Sequence, residues 1–239
     1  MKKYLFIFPA IVLATLCGCS KWAGDPITQE FSIDGTYTEL QVEDAFDVYV
    51  SNEVSQITVT AGDNIMPKVK VEKNGDKLEI YLKGWSTSYG SDMKVLLPAN
   101  PNLQKVNLSG ASDFYGDLAA DNVEIVLSGS SDIEGSVAAT NLSITLSGSS
   151  DATLEGQVGK LILALSGSSD LEKKMVGNHY ALSCDECEGT ISGSSEAYIH
   201  CDGNIKVKVS GSSSLHYTGY ATTTGSSTSG SSDIEHDAF

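Results

Sequence analysis

The stretch LSITLSGSSD, residues 142–151, joins an alternating apolar run to a small polar phrase. The phrase recurs as SGASD at 109–113, SGSSD at 128–132, 166–170 and 229–233, SGSSE at 192–196 and SGSSS at 210–214. Measured from first serine to first serine, the intervals are 19, 19, 19, 26, 18 and 19 residues. A fixed period of this length marks stacked units, none of which can bury its apolar face alone.

What precedes the phrase decides between strand and helix. Val123, Ile125 and Leu127 alternate with polar residues, as do Leu142, Ile144 and Leu146, and Ile205, Val207 and Val209. A period of two with β-branched residues is a strand signal. A second apolar position follows the phrase at Phe114, Ile133, Ala152, Leu171, Ala197, Leu215 and Ile234. Two or three short strands in 19 residues leave no room for a helix, so the expectation is all-β, a parallel β-helix with one coil per repeat. The glycine suits a corner that needs positive φ, and the serines suit turn hydrogen bonding. The last coil carries Thr224, Ser226 and Thr228 at its inward positions, which suits a polar terminal cap. The 26-residue interval contains an extra segment around KKMVGNHY, residues 173–180, read as a loop bulging from one coil.

Residues 31–107 lack the phrase but stay rich in strand patterns, and Asn74-Gly75 between two alternating runs is a hairpin signal. The expected division is a signal peptide at 1–18, a lipidated tether at 19–30, an irregular β part at 31–107 and the regular repeat at 108–239. Lys2 and Lys3, an apolar run from Tyr4 and the segment Leu16-Cys17-Gly18-Cys19 form an export signal whose end resembles a lipoprotein lipobox. That places acyl chains on Cys19, which would be the membrane contact.

The formal charge is −16, and loss of Lys2 and Lys3 with the signal makes it −16 − 2 = −18. Every basic residue other than histidine is lysine; with no arginine forks and an acidic surface, nucleic acid is not an expected partner.

The order of motifs resembles a known family. GTYTELQVEDAFDVYVS at 35–51 is followed by VTAGDNI at 59–65, DKLEIYLKG at 76–84, KVLLPANPNLQKVNLSGASD at 94–113 and then the serial SGSSD units. This looks like the bacterial family described as putative auto-transporter adhesin, head GIN domain, found among Bacteroidetes lipoproteins. The resemblance implies a right-handed β-helix and an exported location, and it supplies no catalytic residues. Ser20 after the lipidated cysteine resembles the sorting rule for outer-membrane rather than inner-membrane lipoproteins.

Candidate chemistry falls into four groups. Asp113, Asp132, Asp151 and Asp170 occupy one repeat position; stacked ~4.8 Å apart they form a row that could take calcium, which accepts carboxylate oxygens in flexible number. Cys184 and Cys201 lie eight and nine residues before their phrases, which sets them on adjacent coils within reach of a disulfide. Trp85 and Tyr89, in the loop YLKGWSTSYG, are candidate aromatics for a glycan or protein ligand. His179, His200, His216 and His236 show no ligand spacing and read as scattered surface residues.

The expected function is an exported, lipid-anchored module of the cell envelope with a non-enzymatic binding or structural role, including adhesion. The rival is a carbohydrate-binding or polysaccharide-degrading β-helix enzyme, because paired carboxylates can hydrolyse glycosides. Identical acids in successive repeats describe architecture better than one active site, and fold analogy alone does not make an enzyme.

Overall fold

The computed structural model describes residues 24–84 and 93–238. These are all-β apart from one 3-10 turn at Met66–Lys68, and 18 of the strands belong to one sheet that wraps nearly closed around a single apolar core. Cys19, Trp85 and Tyr89 lie outside the described residues.

The repeat interval is the pairing interval. The Asp132–Leu146 strand runs parallel to Asp151–Leu165, with Asp132 opposite Asp151, Leu142 opposite Leu161 and Leu146 opposite Leu165. Asn122–Leu127 pairs with the first of these in the same way, Leu127 facing Leu146. Successive rungs therefore set like residues side by side, and Leu108, Leu127, Leu146, Leu165, Ile191 and Val209 form a column that is at most 1% exposed. Each buried member contributes roughly 1.5–3 kcal/mol of apolar burial.

The corner is built by the phrase. All seven phrase glycines have φ between 81° and 90°. A side chain there would also have nowhere to go, since a Cβ on Gly148 would stand 2.5 Å from the carbonyl oxygen of Gly129 one rung back. That oxygen accepts the amide of Ser149 at 2.8 Å, and the same bond recurs from Ser130 to Gly110 and from Ser168 to Gly148. The close approach is thus the hydrogen bond that joins the corners.

The fourth residue of each phrase points inward. Ser112, Ser131, Ser150, Ser169 and Ser195 are fully buried. The Ser150 hydroxyl donates to the Ser147 carbonyl at 3.0 Å and accepts the Ser131 amide at 3.5 Å. Ser131 and Ser169 repeat the first bond, at 3.0 and 2.9 Å. A buried hydroxyl is costly unless bonded, and this column meets that requirement with backbone groups.

The phrase reaches further than its letters. Glu43-Asp44-Ala45-Phe46-Asp47 occupies the same corner one rung before Ser109–Asp113: the Ala111 amide donates to the Asp44 carbonyl at 2.7 Å, and Asp47 pairs with Asp113. Asp44 takes the glycine place with φ 76°, which no other non-glycine residue among those described matches. Phe46 replaces the inward serine, and its own amide is accepted by Ser112 Oγ at 3.3 Å. Residues 31–107 lack the phrase in letters, yet one backbone corner of the same kind stands there, because the side chains changed while the corner stayed.

Beyond that rung the chain reverses its order. Glu39–Val42 and Phe46–Ser51 lie between the repeats on one side and Lys77–Leu82 and Met93–Pro98 on the other. Antiparallel partners close this end: Val69–Asn74 on Lys77–Leu82 through the expected Asn74-Gly75 hairpin, and Pro26–Phe31 on Ile57–Gly62. The opposite end is polar, with Thr224 and Thr228 exposed and Ser226 half-buried. Ser226 Oγ donates to the Ile205 carbonyl at 2.8 Å and accepts the Val207 amide at 3.1 Å, meeting edge groups that would otherwise invite another strand.

The segment at 173–180 is more than a bulge. It forms a short hairpin, Met175–Val176 against His179–Tyr180, and Tyr180 is fully buried against the last rungs. The loop reading is corrected: its aromatic end docks beside the Tyr198 ring, with its amide on Thr218 Oγ1 and its phenol on Asp237.

Two glycines test the corner argument. Gly148 and Gly177 have φ of 83° and 62°, but only Gly148 would drive a Cβ into backbone. We expect Gly177→Ala to cost about 1 kcal/mol from left-handed strain alone, and Gly148→Ala to cost at least ~2 kcal/mol more by urea denaturation.

Candidate functional site

Asp132 lies beside Asp151 in the acid row, and Asp47, which the spacing did not include, extends it beside Asp113. Its members are only partly in water, and each holds the next rung. Asp113 Oδ1 accepts the Asp132 amide at 3.2 Å, Asp132 the Asp151 amide at 3.2 Å, Asp151 the Asp170 amide at 3.0 Å and Asp170 the Glu196 amide at 2.6 Å. Partial burial pushes the carboxyls of Asp113, Asp132 and Asp170 above the usual carboxylate range, with neighbouring acids adding to the rise and the accepted amides opposing it. Asp117 goes the other way, held below that range by the hydroxyl and amide of Ser136.

A cation would find its densest oxygen cluster where Asp151, Asp170 and Glu172 bring their carboxylates within 4.8 Å of one another. The amide bonds give the row a duty that needs no ion.

Cys184 and Cys201 are direct partners across adjacent rungs, as counted from the phrases, and Cys187 faces Ile205 inside the core. All three are buried free thiols. The expected bridge is not formed here: Cys201 Sγ donates instead to the Asp185 carbonyl at 3.7 Å. Hydrogen bonding with a neighbouring thiol, Cys187 for Cys184 and Cys184 for Cys201, is the largest cause raising the pKa of these two thiols, with burial adding to it.

The histidines are where the sequence reading needs correction. The His179 and His200 rings lie 4.8 Å apart, His216 stacks on Tyr198 at 4.8 Å and 12°, and His236 lies 4.9 Å from the Tyr217 ring. His179, His200 and His216 lie on one flank rather than in a scatter, while His236 lies beside Tyr217 on the other face of the same strands. His216 Nδ1 stands 3.7 Å from Glu235 Oε2 and 3.4 Å from Asp237 Oδ2, and the Tyr180 phenol donates to the same Asp237 oxygen. The signal for part of this was in the spacing. Tyr198, His216 and Glu235 each lie two residues beyond the fifth position of their phrases, so a parallel register must align them. The arrival of Tyr180 could not be counted, because the docking of an insertion has no period.

One face of the stacked strands offers a broad shallow trough of about 680 Å³. Its floor carries rows rather than a focus: Asn141 donates to Asn122 at 2.9 Å, and Lys105–Glu124 and Lys160–Glu188 are ion pairs at 3.2 and 2.6 Å. Ile162 lies exposed among them.

Residues 36–221 match the family model described as putative auto-transporter adhesin, head GIN domain. The chain belongs to this family. Solved structures share its fold at low identity. A putative adhesin from Bacteroides fragilis aligns over 91% of this chain and 98% of its own, with 20% identity and a TM-score of 0.74. A putative lipid binding protein from Parabacteroides distasonis aligns over 90% and 98%, with 21% identity and a TM-score of 0.66. A putative adhesin from Parabacteroides merdae aligns over 90% and 97%, with 17% identity and a TM-score of 0.61. No protein of curated function matches the chain.

The double duty of the row predicts opposite outcomes at one position. Asp170→Asn keeps the oxygen that accepts the Glu196 amide and removes a charge, so its stability should equal or exceed the parent's at neutral pH. Asp170→Ala loses the bond and should cost about 1 kcal/mol in urea melts. The raised carboxyls bind protons more tightly when folded, so their stabilisation is complete below the unfolded carboxylate range and is lost as pH rises through the folded values. The melting temperature should therefore climb as pH falls from neutral toward that range. An Asp113→Asn, Asp132→Asn, Asp170→Asn triple variant should flatten the climb.

Proposed function

We propose that this family member is an exported, lipid-anchored module of the cell envelope, a right-handed parallel β-helix that works by non-enzymatic binding, with adhesion as its role. The observation that carries this reading is the commitment of the repeated polar groups. The inward serine hydroxyls are bonded to backbone, and four of the acids in the row accept amides of the next rung, so the residues that first suggest catalysis are occupied in holding the corners.

The trough suits the proposed role. Parallel stacking repeats similar groups at ~4.8 Å along a face, which matches an extended ligand such as a glycan or a protein strand better than a compact substrate. The names of the adhesin-like neighbours agree with this, and the family's adhesin description agrees with export. The anchor would be Cys19, acylated after the signal is removed, in the outer membrane.

Two measurements test the reading. Cys19→Ala should release the chain from the membrane fraction without changing its fold, and a chain that stays membrane-bound without the cysteine would refute the anchor. Incubation with a panel of polysaccharides should yield binding on some surfaces and no new reducing ends or unsaturated sugars; product formation would replace the adhesive reading with an enzymatic one.

Export also bears on the thiols. Exchange with an oxidised dithiol partner would join Cys184 to Cys201, the two thiols giving up their protons and the partner's disulfide taking the two electrons. Mass spectrometry of protein recovered from the envelope, under non-reducing conditions, should then count one free thiol among these three. A count of three would exclude the bridge.

A further inference from the structure

We propose that His216, Glu235 and Asp237 form a binding site for one divalent transition-metal ion, of which zinc is the probe. Their ligand atoms lie within 4.8 Å of one another, and none of the three has a part in the repeated corner.

The separations favour an ion over a simple ion pair. His216 Nδ1 is 3.4 Å from Asp237 Oδ2 and 3.7 Å from Glu235 Oε2, both longer than a good charge-assisted hydrogen bond. Ligands at the 2.0–2.2 Å typical of zinc to nitrogen and oxygen sit roughly 3.3 Å apart around a tetrahedron. The two separations from His216 thus come near the size of that shell, the two carboxylate oxygens lie within 4.8 Å of each other, and water is left to complete the coordination. One imidazole and two carboxylates suit borderline metals, and two carboxylates balance a divalent charge.

The surroundings hold these ligands in place. His216 and Glu235 are cross-strand partners, and Asp237 follows two residues later on the same face, its amide bonded to the Tyr217 carbonyl at 2.8 Å. The imidazole plane is fixed by stacking on Tyr198, whose hydroxyl donates to Glu196 at 2.8 Å. Tyr180, buried at the end of the inserted hairpin, donates its phenol proton to Asp237 and so orients that carboxylate from a distant part of the chain. A partner of this kind behind a ligating carboxylate is a common feature of metal sites. The ion would tie the hairpin to the terminal rung, which gives the inserted segment a purpose that a tolerated loop lacks.

The test uses the purified, chelator-treated full chain. Calorimetry should show one zinc bound at micromolar concentration, with a rise in melting temperature. His216→Ala should lower the affinity by about tenfold or more, and Tyr180→Phe by about tenfold through the lost orienting bond. His236→Ala should bind as the parent does. Cobalt in place of zinc should give a visible spectrum without a thiolate charge-transfer band, which separates this site from the three cysteines. Should His216→Ala fail to fold, Glu235→Gln, whose side chain is exposed, decides: it should abolish the zinc-dependent rise in melting temperature. No zinc uptake by the parent, equal uptake by these variants, or a thiolate band would overturn the proposal.

Discussion

The structure depends on the hydrogen bond by which one rung's corner carbonyl takes the amide of the next. In the regular repeats the carbonyl belongs to a glycine, as when Gly129 accepts Ser149 at 2.8 Å. That bond requires positive φ and a bare Cα at once, and only glycine satisfies both without strain. Around it the other letters of the phrase find their duties. The inward serine bonds the backbone on both sides of the corner, the closing acid accepts the next rung's amide, and the preceding leucine starts the apolar column.

A column that repeats one bond fixes register, and register then decides everything laid along the faces. Asn122 beside Asn141, Tyr198 beside His216 and Cys184 beside Cys201 are consequences of parallel pairing at the repeat interval. The electrostatic cost appears in the acid row, where burial first and neighbouring acids after it push the carboxyls of Asp132 and Asp170 up. The row persists because each carboxylate is also a hydrogen-bond acceptor, and an acceptor can be worth as much as a mild repulsion removes.

The two ends of the stack and the hairpin at 173–180 are where the chain departs from its period, and they carry its individuality. At one end, antiparallel strands close the core; at the other, Ser226 and its neighbours satisfy an open edge with hydroxyls. The hairpin folds onto the last rungs and brings Tyr180 to a flank already lined by histidines and acids. Function is better sought at these departures, because a repeated unit presents the same chemistry at every step.

The sequence alone determined the strands, the parallel alignment, the corner glycines, the apolar columns and the family, because each follows from a local pattern repeated at a near-constant interval. It also contained the alignment of His216 with Glu235, through their equal distance from successive phrases. The tertiary structure alone showed that Glu43-Asp44-Ala45-Phe46-Asp47 is a further copy of the corner, that the acids bond amides and that Tyr180 docks on Asp237. The physical reason is the same in each case. Backbone geometry can persist after its side chains have changed, and contacts made by an aperiodic insertion are chosen by surface fit rather than by spacing along the chain.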